Sequence, residues 1–403
     1  MPPSVCSRAS DSAGLPSFAT DLPAFALKGR RLWPVVQGGM GVGVSAHRLA
    51  GSVAAQGAMG TIASVDLRRH HADLMGASRN GSKTVVDAAN LEALDREIRA
   101  AKAIAQGRGA IAVNVMRAVS EYPAYVRRAC ESGADAVVVG AGLPLDLPEL
   151  AAAWPDVALI PILSDARGIA LVVRKWMRKG RLPDAIVIEH PRHAGGHLGA
   201  ARIDDLADPR FDFERVIPET LAFFRAEGID ERAIPLVPAG GINSHERVRE
   251  LIAMGAAAVQ LGTAFAVTRE CDADAAFKDV LAGAGPGDIV EFVSVAGLPA
   301  RAVRTAWLER YLAFLPKLAA AAHRKPRCAL KFDCLIQCGL RDGIAKIGQF
   351  CIDTQLAAAL KGDVAKGLFF RGAAALPFGR EIRTVRELID YLLTGARPVP
   401  RPA

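Results

Sequence analysis

The sequence predicts an α/β fold, a TIM (β/α)8 barrel carrying a helical C-terminal extension, and three observations point there. From about residue 31 to 268, short apolar runs alternate with helical stretches, the rhythm of parallel strands buried on both faces. Two of these runs, Pro238-Ala239-Gly240-Gly241-Ile242 and Val259-Gln260-Leu261-Gly262-Thr263-Ala264-Phe265, each break at glycine and flank an amphipathic helix, as the last two βα units of such a barrel do. The length of 403 residues accommodates one barrel of roughly 250 residues plus an extension.

Taken in order, residues 1–30 are rich in Ser, Pro and Ala and read as a loose lead-in. Leu32 to Val36 is the first strand, running into the glycine-dense turn Gln37-Gly38-Gly39-Met40-Gly41. A helix over 46–56 and a strand over 58–62 follow. Leu91, Leu94, Ile98 and Ala101 share one face of a helix over 89–105, and 111–115 is a buried strand. Asn114 inside that strand must satisfy an amide; a turn at the strand end or a polar cofactor ring would each do so. Helix 123–132, strand 136–139, strand 157–163, helix 166–179 and strand 185–188 carry the count towards eight. Residues 200–234 read as an insertion with a helix from Pro218, a candidate lid over the site. After the barrel, 31–268, the alternation stops. Residues 269–403 read as a mainly helical extension, with helices through Trp307 and Leu312 and over 352–360 and 385–393, and with Arg301 at the surface.

Composition excludes several classes. A formal charge of +8 is spread over predicted helices rather than gathered in an aromatic-interleaved patch, which argues against a nucleic-acid partner. No stretch is apolar enough to span a membrane, and no export signal is visible. Seven cysteines, an odd number in a long chain, suit a reducing compartment, so a cytoplasmic protein is expected.

The chemistry concentrates in three places. The paired glycine junctions, with Gly240, Gly241, Gln260, Leu261, Gly262 and Thr263, let backbone N–H groups approach an anion and so form a phosphate cradle at the catalytic end. Three of the eight histidines fall in Glu189-His190-Pro191-Arg192-His193-Ala194-Gly195-Gly196-His197, where an imidazole can trade a proton and Gly195 and Gly196 leave room for a flat ring. Metal ligation by His190, His193 and His197 is disfavoured, because Pro191 and the Gly-Gly pair break the helix that would align them. Cys328, Cys334, Cys338 and Cys351 form the third group; their uneven gaps favour buried structural thiols over a zinc or iron–sulfur site, and no metal is assigned.

Together, Gln37-Gly38-Gly39-Met40, Val113-Asn114, Ala194-Gly195-Gly196-His197-x-Gly199, Ala239-Gly240-Gly241-Ile242 and Gln260 to Phe265 resemble the nitronate monooxygenase family, formerly 2-nitropropane dioxygenases, over about 33–305. The resemblance implies a barrel binding FMN, with Gly241 and Gln260 to Thr263 at the phosphate and Gly38 to Met40 and Asn114 at the isoalloxazine ring. It implies that His197 is the base for a nitroalkane α-proton or orients the nitronate. The implied substrates are a nitronate or nitroalkane and O2, giving a carbonyl compound and nitrite without NAD(P)H; self-association is left open. Where many relatives have Gln-Gly-x-Glu, this chain has His190-Pro191-Arg192-His193. His190 thus stands at a flavin-contacting position, and Arg192 and His193 suit an anionic substrate. The alternatives are an FMN-dependent NAD(P)H-linked enoyl-[acyl-carrier-protein] or quinone reductase and, in another class, a non-catalytic flavin-binding sensor or scaffold.

Overall fold

The computed structural model describes residues 15–324, 328 and 334–399. Eight parallel strands close into a barrel in chain order: β1 Val35–Gln37, β2 Met59–Ala63, β3 Ala110–Met116, β4 Ala136–Gly140, β5 Ala158–Leu163, β6 Ile186–Glu189, β7 Leu236–Ala239 and β8 Val259–Leu261. Closure comes from β8 pairing with β1, Val259 opposite Val35 and Leu261 opposite Gln37.

Side chains alternate along each strand, and the two faces bury different residue sizes. Ala110 and Ala112 of β3, Ala136 and Val138 of β4, and Val187 of β6 face the barrel interior. Ile111, Val113, Val137, Val139, Ile186 and Ile188 face outward into the main core. The interior rows run upward into the mouth, so Asn114 continues the Ala110–Ala112 row and Glu189 continues the row of Val187. At the other end, an antiparallel hairpin, Phe25–Leu27 with Arg30–Leu32, sends Phe25, Leu27 and Leu32 into the interior as a plug. This hairpin is absent from the sequence reading, which treats 1–30 as unstructured lead-in.

The helices α1 His47–Ala55, α2 Lys83–Ala105, α3 Tyr122–Glu131, α4 Ala166–Met177, α5 Phe213–Ala226 and α6 His245–Ala253 lie in chain order between the strands. The supposed insertion therefore supplies the helix that follows β6. It starts at Phe213 and not at Pro218, because Phe213, Val216 and Ile217 are buried; Pro218 sits inside the helix. Arg174 of α4 pairs with Glu227 just beyond α5, as expected of adjacent outer helices.

Beyond the barrel, α7 Ala306–Ala321, α8 Ile352–Leu360 and α9 Val385–Thr394 make the extension mainly helical. It also contains an antiparallel pair, β9 Ile289–Val293 and β10 Pro299–Val303. A third, two-residue strand, Gly196–His197, joins β10 and ties the extension to the mouth of the barrel.

Phe25 is 1% exposed at the base of the barrel. Phe25→Ala is expected to cost about 3–5 kcal/mol in urea unfolding, while a change at exposed Val85 leaves the midpoint in place.

Candidate active site

The C-terminal ends of the strands open onto a cavity of about 580 Å³, within the range of cofactor-sized pockets. Its wall brings together Gly38, Gly39, Met40, Asn114, Gly195, Gly196, His197, Gly240, Gly241, Gln260, Leu261, Gly262 and Thr263. These positions, spread over more than 200 residues of sequence, meet because each lies at or just past the end of a barrel strand or on the loop after β6.

Two glycines show why the cavity has its shape. A Cβ on Gly39 would lie 2.4 Å from Cβ of Asn114, so only glycine lets the first βα turn rest on that asparagine. Gly241 has φ +75°, and a Cβ there would press on the His193 ring at 3.0 Å. The Gln260 side chain packs against Gly38 from the adjoining strand. Among the described residues lining the cavity none is Lys or Arg, so an anion held by them meets backbone N–H groups rather than side-chain cations.

His190 does not join the site. Strand alternation sends Glu189 inward and His190 outward, and the His190 ring packs edge-on against Phe213, with Nε2 3.3 Å from Asp212. Burial and neighbouring His193 keep the His190 ring neutral. Glu189 takes the inward position, where burial pushes its carboxyl up to about 7. The sequence signal for it was available in the parity of β6. Arg192 is also displaced from its expected role: it is exposed and donates to the Ala207 carbonyl, whereas His193 does line the cavity.

His197 is held from three directions. Its backbone pairs with Ala300 of β10. Its Nε2 lies 3.0 Å from Oγ of fully buried Ser294 in the β9–β10 turn, and the Phe370 ring stands 5.8 Å away. Burial lowers the imidazole to about 4, so it is neutral near pH 7 and able to take a proton on the nitrogen not engaged with Ser294.

Arg301 corrects another expectation. It is 2% exposed, not at the surface. Its guanidinium donates to the carbonyls of Pro191 and Ala194 and pairs with Glu291. A buried arginine thus fixes the loop that carries the histidines.

The sequence reading also missed residues 370–377, which form a strap across the mouth. Gly372 N–H donates to Thr263 Oγ1 at 3.0 Å, Ala373 N–H to the His193 carbonyl at 3.1 Å, and Asn243 Nδ2 to the Ala375 carbonyl at 3.0 Å. A Cβ on Gly195 would fall 2.5 Å from the Arg371–Gly372 peptide, so that glycine makes room for the strap and not for a flat ring.

With this geometry established, comparison with known proteins gives one consistent result. The family model for nitronate monooxygenase matches residues 28–395. The chain belongs to the nitronate monooxygenase family. A nitronate monooxygenase of Pseudomonas aeruginosa is 35% identical over 123 residues, 29% of this chain and 31% of that protein. A probable nitronate monooxygenase of Bacillus subtilis is 27% identical over 124 residues, 31% and 33% of the two chains. These matches span about a third of the relatives' length. Among solved structures, FabK from Thermotoga maritima superposes with a TM-score of 0.60 at 20% identity, covering 89% of this chain and 91% of that one. A nitroalkane oxidase from Streptomyces ansochromogenes gives 0.59 at 20% identity, covering 91% and 96%; both similarities bear on the fold. Among the described residues no helix is long and apolar enough to cross a membrane.

Arg301→Met removes the donors to two loop carbonyls and is expected to cost roughly 1–3 kcal/mol, read by urea unfolding. Glu189 is expected to make stability depend on pH. Its folded pKa of about 7 lies above the unfolded carboxylate value of about 4.3, so its contribution is full at low pH and is lost as pH rises through 7. Glu189→Gln should therefore raise the urea midpoint at pH 8 and leave it nearly unchanged at pH 4; equal shifts at both would exclude a raised Glu189.

Proposed function

We propose that this chain is an FMN-dependent nitronate monooxygenase that oxidises small alkyl nitronates or nitroalkanes with O2. The observation that carries the reading is His197, a neutral, half-buried imidazole held by Ser294 at the rim of a glycine-walled cavity. The residues present fit the mononucleotide. Gly240, Gly241, Gly262 and Thr263 form a glycine-rich cradle suited to its phosphate, and the Gly38–Met40 turn, resting on Asn114, offers backbone and amide groups to its ring. FMN, when bound, supplies electron acceptance from the anionic substrate, and O2 completes conversion to a carbonyl compound and nitrite.

The chain's own contribution is positioning and proton transfer. His197 takes the α-proton of a neutral nitroalkane, or orients a preformed nitronate through the same ring. Ser294 sets which nitrogen faces the substrate. The strap lines the mouth and sets its Phe370 ring beside His197, an apolar wall that limits water beside the reacting carbon.

The purified protein is expected to be yellow and to bleach anaerobically with an alkyl nitronate. Bleaching by NADH or NADPH but not by nitronate would instead mark a nicotinamide-linked reductase. His197→Asn should lower turnover of a neutral nitroalkane by about 10²–10⁴-fold and affect a preformed nitronate much less. Because the imidazole is held at about 4, the acid limb of kcat/KM for the nitroalkane should fall below pH 5; a limb near 6.5 would show that the proton acceptor is an ordinary exposed imidazole.

A further inference from the structure

Cys328, Cys334, Cys338 and Cys351 are four of the chain's seven cysteines, and the fold gathers what their uneven spacing scatters along the sequence. Cys334 is the centre: its thiol is in electrostatic reach of those of Cys338, Cys351 and Cys328, and Cys351 is in reach of Cys328. The chain path explains this. The segment docks on the loop after β3, where Ile336 N–H donates to the Ala118 carbonyl and Ser120 N–H to that of Cys334. It then turns back along the β9–β10 turn, with Gly339 N–H on the Val295 carbonyl and Gly348 N–H on that of Ser294. Cys351 ends the excursion as the N-cap of the nine-residue α8, its sulfur accepting from Thr354 Oγ1 at 3.1 Å.

Buried structural thiols do not describe this group. Only Cys338 is buried; Cys334 and Cys351 are half-buried and Cys328 is exposed. None of the described cysteines is in a disulfide. Nor do three His, Cys, Asp or Glu side chains among the described residues converge on a single metal ion. A tetrahedral zinc, with Zn–S bonds of about 2.3 Å, draws its sulfurs closer than a polynuclear core does. Four thiols in one neighbourhood offer the all-thiolate, four-cysteine ligand set of an iron–sulfur cluster.

We propose that Cys328, Cys334, Cys338 and Cys351 ligate an iron–sulfur cluster of the [4Fe–4S] class. Cys334 also lines the barrel cavity, together with Ile352 and Leu356 of α8, so the cluster sits on the cavity wall. Arg341 donates to the carbonyls of Leu335 and Ile336 and so braces the loop that carries Cys334 and Cys338. The segment is bonded to Ser294, which holds His197, and cluster loss should therefore loosen the imidazole's support. The assignment does not depend on which substrate or flavin the barrel binds.

The test is to purify the full chain anaerobically, reconstitute it with ferrous iron and sulfide, and measure iron, acid-labile sulfide and FMN on the same sample. About four iron and four sulfide per chain are expected, with a broad visible absorption beneath any flavin bands that dithionite bleaches. Cys334→Ser and Cys338→Ser should lose the iron, while Cys130→Ser and Cys271→Ser keep it. Cys328→Ser, at an exposed position, should also lower the iron content and covers the case in which a buried variant misfolds. Iron no higher than in Cys334→Ser after reconstitution, one zinc per chain, or a disulfide between these cysteines in the anaerobic protein would each overturn the assignment.

Discussion

The site depends on one piece of β-pairing. Two residues, Gly196 and His197, make a strand too short to persist alone, and they persist because β10 offers a ready partner edge. Arg301 on β10 reaches under the same loop to the carbonyls of Pro191 and Ala194, and Ser294 in the preceding turn meets the imidazole. The histidine loop is thus fixed through backbone, guanidinium and hydroxyl contacts that all come from outside the barrel. The extension supplies the precision that a long glycine-containing loop lacks.

Burial by the same elements sets the protonation of the site. His197 and Glu189 are both desolvated, which disfavours the charged form of each: the imidazole is lowered and the carboxyl raised. Near neutral pH the imidazole carries no charge, and the carboxyl titrates in that range. An acceptor for protons and a group able to donate one then coexist in one cavity, and their environments push them apart in role.

The barrel was legible in the sequence because its signals are local. Alternating apolar runs give strands, and helical spacing gives most of the outer ring to within a few residues. The glycine junctions were legible too, since close backbone approach restricts the residue type wherever it occurs. Less legible was anything decided by partners distant in sequence. Arg301 looks like a surface residue until β10 is seen to run beneath the histidine loop, and Gly195 looks like ligand space until the 370–377 strap is seen above it. His190 was misplaced for a different reason: motif position was followed where strand parity decides. Ile186 and Ile188 face out, so His190 does as well, and Glu189 is left pointing in.

Among the described residues the cavity wall has no lysine or arginine, and this limits what those residues can hold. An anion gains favourable electrostatics there only from oriented peptide dipoles, which act over a few ångströms and in fixed directions. A phosphate seated against the paired glycine junctions meets that condition. A second large anionic group elsewhere in the cavity would face Glu189 and Asp353 with no countercharge among the described lining residues. A small substrate with a single delocalised negative charge, placed beside a neutral His197, avoids that penalty. The described wall thus suits one phosphate at the glycine junctions and disfavours bulky polyanions elsewhere, by its residue types as much as by its shape.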